Sequence, residues 1–553
     1  MALVERRIGL LFAVFLALLA LAALRSLQLG TLKADGLASA AVSQQVTKVT
    51  VPARRGTIVD RKGVQLAVSQ PADDVSATPY LVKDPAKAAR QLAAVLEVDE
   101  AGLLKQLTRK DTGFVYLARR VPGAKADAVR KLGIAGVDLT PGQKREYPRD
   151  YLASQVLGAV GGEDKGLFGL EWSLEAELHG RDGERRIVRD GVGDDVQVRD
   201  ITRSQPGARV QLTLDAAIQG KVEEVLKGIG ETYQPKGSTA VVMDPRTGEV
   251  LAMANWPQIN ANDPAAAPGY ANQNRAVGYT YEPGSTFKAF TVAGALEDGK
   301  VTPDTSFNLP PQIQVADRTI TNSHPRGWAT MTTAEILAES DNVGAITIGQ
   351  RLGDARFDHW VRRFGFGSKT GVDLPGEERG IVLPLAKYSG SSMGNLPIGQ
   401  GESVTPMQIA SAYSAIANGG VLRTPRIIRR IGDEVPPLPT GKRIISEGTA
   451  AAVRGMLKGV LAPGGTAPEA HIEGYDLAGK TGTANKVDER TGEYSKANYV
   501  ASFVGFAPAQ HPRLLISIMV DEPKGAIYGG TVAAPAFQKI AGFALPYLGI
   551  EPK

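Results

Sequence analysis

The sequence predicts an α+β protein of several folding units behind a single membrane-spanning helix. Three observations carry this prediction: an uninterrupted apolar run over residues 8–24, a helix-rich stretch flanked on both sides by strand-like segments between 206 and 553, and an ordinary globular composition. With 43% hydrophobic and 22% charged residues, the chain is neither a disordered polymer nor a polytopic membrane protein. Its 553 residues correspond to about three to four folding units. A net charge of +5 is a small excess for this length and does not imply nucleic acid as a partner. The absence of cysteine excludes disulfides, thiolate nucleophiles and cysteine-ligated zinc, and permits an oxidising compartment.

The apolar run IGLLFAVFLALLALAAL lies between Arg7 and Arg25 and covers roughly 25 Å as a helix, at the short end of a bilayer span. It exceeds the core of a cleavable signal, and the nearest small-residue site, Ala38-Ser39-Ala40, is too far downstream. With no polar face at helical spacing, residues 8–25 are expected to form a retained signal anchor. Arg6 and Arg7 favour a cytoplasmic amino end over 1–7, although Arg25, Lys33 and Lys48 on the far side weaken that bias. Residues 26–50, polar and alanine-rich, read as a stalk.

From residue 50, TVPARRGTIVDRKGVQLAVS alternates apolar and polar positions around Arg61-Lys62-Gly63, the pattern of a hairpin. Helical patterns follow near 84–97 and 123–132, then a loop-rich stretch to about 205, so 51–205 is expected to be one α+β module. A second unit over 206–553 opens with the strand-like VQLTL, a helix over 215–228, and the hairpin GSTAVVMDPRTGEVLAMAN with Pro-Arg-Thr-Gly at its turn. Helical segments dominate from 284 to about 460. Short apolar runs at 498–507 and 513–520 and a helix from about 534 close the chain. Strands contributed by both ends make one sheet, covered by the helical middle.

The chemistry centres on EPGSTFKAFTVAGAL. Pro283 suits a helix opening and places Ser285 at its amino terminus, where free N–H groups favour negative charge. Lys288 stands three residues on, on the same helical face, within reach of the hydroxyl. A serine hydroxyl needs a base, and a lysine serves as one only if its pKa is lowered by burial or by another cation. Moving it from about 10.4 to near 7 costs roughly 4–5 kcal/mol, so a second positive charge is expected nearby. Lys480 in AGKTGTA is the expected donor of that charge, while Ser340 and Asn342 in ESDNVGAITIG supply a second hydroxyl and an amide. Ser306-Phe307-Asn308 and Lys369-Thr370-Gly371 repeat two of these patterns, but Ser285 heads the single S-x-x-K, and Lys480 enters the terminal β region whereas Lys369 sits among Gly-rich turns.

STFK, SDN and KTG in this order resemble the signature of the penicillin-binding protein and class A β-lactamase superfamily. RRGTIVDRKGVQLA at 54–67, GLFGLEWSLEAELHGRDG at 166–183 and SVTPMQIASAYSAIANGG at 403–420 are similar to class B penicillin-binding proteins, and 502–542 resembles the division-specific, FtsI-type members. The resemblance implies an elongated α+β pedestal over 51–205, and over 206–553 a transpeptidase domain with a central antiparallel sheet flanked by helices, as in serine β-lactamases. It further implies that Ser285 attacks the carbonyl between the terminal D-alanines of a peptidoglycan stem peptide with Lys288 as general base, and that Ser340 passes the proton to the leaving D-alanine with Asn342 and Lys480 assisting. Backbone N–H groups of Ser285 and Thr483 would form the oxyanion hole, the Thr481 and Thr483 hydroxyls would hold the substrate carboxylate, and Gly482 lies between them. An amine from a neighbouring stem would then take the acyl group. β-Lactams, an FtsW-type SEDS glycosyltransferase, other division proteins and the cytoplasmic membrane are the implied partners; no cofactor or metal is implied. Alternatives are an elongation-specific transpeptidase, a hydrolytic carboxypeptidase or β-lactamase, and a noncatalytic β-lactam receptor or scaffold.

Other patterns carry less. Gly474 to Thr481 fits the Walker A spelling, but polar PEAHIE precedes it and no helix pattern follows. Gly390-Ser391-Ser392-Met393-Gly394 fits G-x-S-x-G, with Asn395 and Pro397 opposing the helix a nucleophile elbow needs. The five histidines have no metal-binding spacing and read as surface or loop residues. Asp341 reads as structural, since a carboxylate aimed at the nucleophile would favour the charged form of Lys288.

Overall fold

The computed structural model describes residues 2–32, 46–189, 195–488 and 490–552. Residues 33–45 of the expected stalk, including Ala38-Ser39-Ala40, lie outside them. The expected anchor is helical over Ala2–Leu27 and continues into a π turn, Gln28–Leu32. Among the described residues, Arg6–Thr31 is the one helical stretch long and apolar enough to cross a membrane.

By contacts, the chain divides into two compact units that do not follow chain order. The first comprises Met1–Arg54, Pro71–Lys144 and Gly180–Gly207; the second comprises Arg55–Gln70, Arg145–His179 and Ala208–Lys553. In the first, the helices expected near 84–97 and 123–132 are present as Pro85–Leu96 and Gly123–Lys131, joined by a further helix, Glu100–Leu107. Asp84 caps the first of these by accepting from Lys87 N. Leu92, Leu103, Leu107, Val75, Val115 and Val129 form its small core. The stretch expected to be loop-rich contains strands Val137–Glu146, Gly183–Arg189 and Asp195–Thr202, and the last two join Val46–Val51 in a three-stranded antiparallel sheet. GERRIVR lacks the apolar alternation of a half-buried strand, and in VDLTPGQKRE and DVQVRDIT the alternation is confined to two apolar positions, Val137 and Leu139 or Val196 and Val198.

In the second unit the expected hairpin pairs Ile58–Val59 with Gln65–Ala67. Asp60 Oδ1 accepts from Lys62 N and Val64 N, and Gly63 takes φ 89°. The central sheet is five-stranded and antiparallel. Its strands are β1 (Gly237–Met243), β2 (Val250–Trp256), β3 (Ala478–Val487), β4 (Tyr494–Ala507) and β5 (Leu514–Asp521), in spatial order β2-β1-β5-β4-β3. Both ends of the unit therefore build one sheet, and β3 is its edge. Among the helices that pack in the same core are α1 (Ala216–Tyr233), α2 (Lys288–Glu297), α3 (Asn342–Leu352), α4 (Pro406–Ala417) and α5 (Ala534–Tyr547). α4 is buried along its whole length, and Thr405 and Gln408 close its amino end as a capping box. Within the region read as mainly helical, two short hairpins intervene, Ser306–Leu309 with Ala329–Thr332 and Gln312–Val315 with Arg318–Thr321.

Candidate active site

Ser285 sits in a 3₁₀ turn, Gly284–Phe287, that runs directly into α2. Gly284 has φ +55°, and a Cβ there would lie 3.0 Å from the Thr483 carbonyl oxygen, so its lack of a side chain lets the turn approach β3. From below, Tyr413 Oη on α4 donates to the Thr286 carbonyl at 2.6 Å, and Phe287 and Phe290 pack against Phe366. Gly482 is the matching feature of β3, since a Cβ there would lie 2.9 Å from the Pro283 carbonyl oxygen and 2.3 Å from Ser502 Oγ. Thus the nucleophile's turn and the KTG strand meet backbone to backbone.

Lys288 is 1% exposed. Its ammonium donates to the Ser340 carbonyl at 2.6 Å, to Asn342 Oδ1 at 2.6 Å and to Ser340 Oγ at 3.3 Å. The spacing suggested a direct bond to Ser285; the three donors of the ammonium are instead taken up by the SDN segment. Ser340 makes this possible by adopting φ +60°, and the capping residue of α3 is not Ser340 but Asp341, which accepts from Gly344 N. Asn342 is held by Asn322, whose Oδ1 accepts from Asn342 N at 2.6 Å, and by the Thr321 carbonyl. Asp341 is structural: Arg326 Nε and Asn322 Nδ2 each donate to its Oδ2 at 2.7 Å.

Burial lowers the pKa of Lys288 to about 7, against the opposing pull of the Asp341 charge. Lys480, fully buried, is held well below its usual value by burial and by the Lys288 charge. The expectation that the Lys480 charge lowers the pKa of Lys288 is corrected: burial lowers it, and the coulombic effect runs from Lys288 onto Lys480.

Ser285, Ser340, Thr481 and Thr483 line one cavity of about 510 Å³. Thr481 Oγ1 and Thr466 Oγ1 share a hydrogen bond of 2.7 Å, and Thr483 Oγ1 accepts from Gly529 N. The cavity also exposes Asn322, His324, Arg326, Thr466 and Tyr528, none of which sequence reasoning selected. They lie in turn-rich segments, and His324, read as an ordinary loop histidine, packs its ring 5.5 Å from that of Tyr528. A second hollow of about 250 Å³, lined by Trp172 and Val277, holds none of the STFK, SDN or KTG residues.

The rival motifs are accounted for elsewhere. Ser306–Leu309 is a strand, and Thr370 and Gly371 donate to Glu377 in a separate hollow. The Walker-like segment enters β3 at Ala478 rather than a helix, which removes a phosphate loop. Gly390–Gly394 forms one helical turn, Ser392–Asn395, that Leu396-Pro397 ends.

Residues 238–542 match the penicillin binding protein transpeptidase domain. The chain belongs to that family. Residues 50–212 match the penicillin-binding protein dimerisation domain, and with both domains the chain is a class B member of FtsI type. Stage V sporulation protein D of Bacillus subtilis is 37% identical over 90% of this chain and 79% of its own length. Peptidoglycan D,D-transpeptidase FtsI of Escherichia coli is 33% identical over 91% of this chain and 85% of its own. The crystal structure of penicillin binding protein 3 from Mycobacterium tuberculosis complexed with aztreonam superposes with a TM-score of 0.73 at 33% identity, covering 91% of this penicillin-binding protein and 98% of that one.

Proposed function

We propose that this penicillin-binding protein is a peptidoglycan D,D-transpeptidase that crosslinks stem peptides through an acyl-enzyme on Ser285 and is a target of β-lactams. The observation that carries the reading is a serine on the wall of a cavity, three residues ahead of a buried lysine whose pKa is about 7. A neutral Lys288 amine takes the Ser285 proton as Oγ bonds to the carbonyl carbon of the penultimate D-alanine. Ser285 N and Thr483 N receive the oxyanion. As the C–N bond breaks, Ser340 gives its proton to the leaving amine and takes one from the Lys288 ammonium, which donates to its Oγ, with Asn342 and Lys480 placing it. An acceptor amine then attacks the ester, the C–Oγ bond breaks, and a proton returns to Ser285. The edge position of β3 supports this reading, because a strand with a neighbour on one side only can pair on the other with an extended peptide, whose terminal carboxylate Thr481 and Thr483 would hold.

The apolar amino-terminal helix supports a single-pass anchor over 8–25, with the amino end inside, a stalk over 26–50, a pedestal over 51–205 and the transpeptidase domain over 206–553 outside the cytoplasmic membrane. The similarity to FtsI supports a septal role and an FtsW-type polymerising partner; depletion should block division, whereas rounding of cells would favour elongation instead.

Mass spectrometry after penicillin treatment tests the site. One covalent adduct is expected, on Ser285 and absent from Ser285→Ala; an adduct elsewhere would refute the assignment. Gly482→Ala gives a second check. The added Cβ would force β3 away from Pro283 and displace Ser285 from the Thr483 N–H, so the penicillin acylation rate should fall about 10²-fold. An unaltered rate would show that this contact does not set the geometry.

A further inference from the structure

The wall of the catalytic cavity carries three carboxylates, the buried Asp341 and the exposed Glu339 and Glu469. Among the described residues neither glutamate has a salt-bridge partner, and the one arginine on the cavity wall, Arg326, is paired with Asp341. The Arg326 guanidinium is already engaged by Asp341 and by the carbonyls of Leu309, Pro310 and Gly327. Glu339 immediately precedes Ser340, the residue assigned to protonate the leaving amine.

Transfer to an amine retraces acylation. The incoming nitrogen must occupy the place the departing nitrogen left, beside Ser340, and so must pass the same wall. At neutral pH that nitrogen arrives as an ammonium. We propose that Glu339 and Glu469 are specificity residues for the acceptor, drawing the cationic side-chain amine of an incoming stem peptide to the acyl-enzyme in preference to uncharged nucleophiles and water. The inference rests on the transpeptidase reading above. The ammonium releases one proton to water before attack; the neutral nitrogen then forms the C–N bond, the C–Oγ bond breaks, and the second proton passes to Ser285 Oγ. Because both carboxylates are exposed, each contributes at most about fivefold at low salt, and the effect fades as ionic strength shortens the screening length.

The test uses the full-length chain in detergent with an N-acetyl-D-alanyl thioester donor, which carries no amine. Acyl transfer is measured to Nα-acetyl-lysinamide, a cationic acceptor, and to hydroxylamine, which is uncharged at neutral pH. In Glu339→Gln/Glu469→Gln the ratio of lysinamide to hydroxylamine transfer should fall about five- to tenfold at low salt, and Glu339→Asp/Glu469→Asp should recover most of it. High salt should lower the wild-type ratio towards that of the carboxamide variant. A ratio indifferent to both substitution and salt overturns the proposal, as does a wild-type acyl-enzyme that neither amine captures. Penicillin labelling of Ser285 in the same preparation separates these outcomes from failure of the transpeptidase reading itself.

Discussion

Replacing Lys288 by methionine should reduce the acylation rate of Ser285 by about 10²–10⁴-fold and, at the same time, make the protein more stable. Both effects follow from one buried amine. In the wild type its pKa is lowered from 10.5 to about 7 by burial. Only the neutral form can accept the Ser285 proton, so the acylation rate should rise with pH to about 7 and level off above it. The same shift is a stability cost. Between about 7 and 10.5 the unfolded chain binds a proton at this lysine that the folded chain does not, so wild-type stability rises with pH through that window. Below about pH 7 the full cost is present, roughly 5 kcal/mol. Methionine removes it but leaves the Ser340 carbonyl and Asn342 Oδ1 without their donor, a loss of about 1–3 kcal/mol. The net gain should appear as a Tm above wild type near pH 6 that shrinks towards about pH 9. A variant less stable than wild type near pH 6, or a wild-type rate with no acid limb, would show that Lys288 is not the poised base.

Much of this site was legible in the sequence because its parts are local signals. The S-x-x-K run, the SDN run ahead of α3 and the KTG run entering β3 each carry their own spacing, and the two terminal apolar runs separated by Pro508 to Pro512 announced β4 and β5. What the sequence did not reveal depends on distant pairing or on single backbone angles. The left-handed turn at Ser340 redirects a carbonyl towards Lys288 and so takes the ammonium away from Ser285, and no residue type marks that turn. Asn322 and Arg326, which hold Asn342 and Asp341, lie in a loop whose composition says only that it turns. The Lys288 shift shows the same limit: of the two causes open to the sequence, burial and a second cation, burial is the one that lowers its pKa, and burial cannot be read from local spacing. Likewise the assignment of 55–70 and 145–179 to the compact unit of the catalytic residues is a matter of tertiary contacts, which follow no period.

Those two segments are the setting for the second large effect. Glu171→Gln should destabilise the protein by about 3–5 kcal/mol. Glu171 is fully buried between two arginines that are themselves 2% and 7% exposed, Arg55 and Arg145. Arg55 Nε donates to Oε2 at 2.7 Å, Arg145 Nε donates to Oε1 at 2.7 Å, and Tyr147 Oη adds a longer bond at 3.3 Å. Taking charges from water is costly, and the arrangement is tolerable only while each guanidinium faces a carboxylate. Glutamine keeps the shape but removes the negative charge and turns one acceptor into a donor, leaving Arg145 without a counter-ion within salt-bridge distance among the described residues; Arg55 retains Glu175 at 2.8 Å. The exposed pair Arg109–Asp111 is the control, since both groups are solvated and Asp111→Asn should leave thermal unfolding unaltered within error. Because the network lies in the same compact unit as Ser285, the loss should also appear as a smaller fraction of chain able to take up penicillin as temperature rises. Unfolding of Glu171→Gln at the wild-type temperature would mean that water or a rearranged neighbour satisfies the arginines, and that the motif GLEWSLE does not hold this part of the core together.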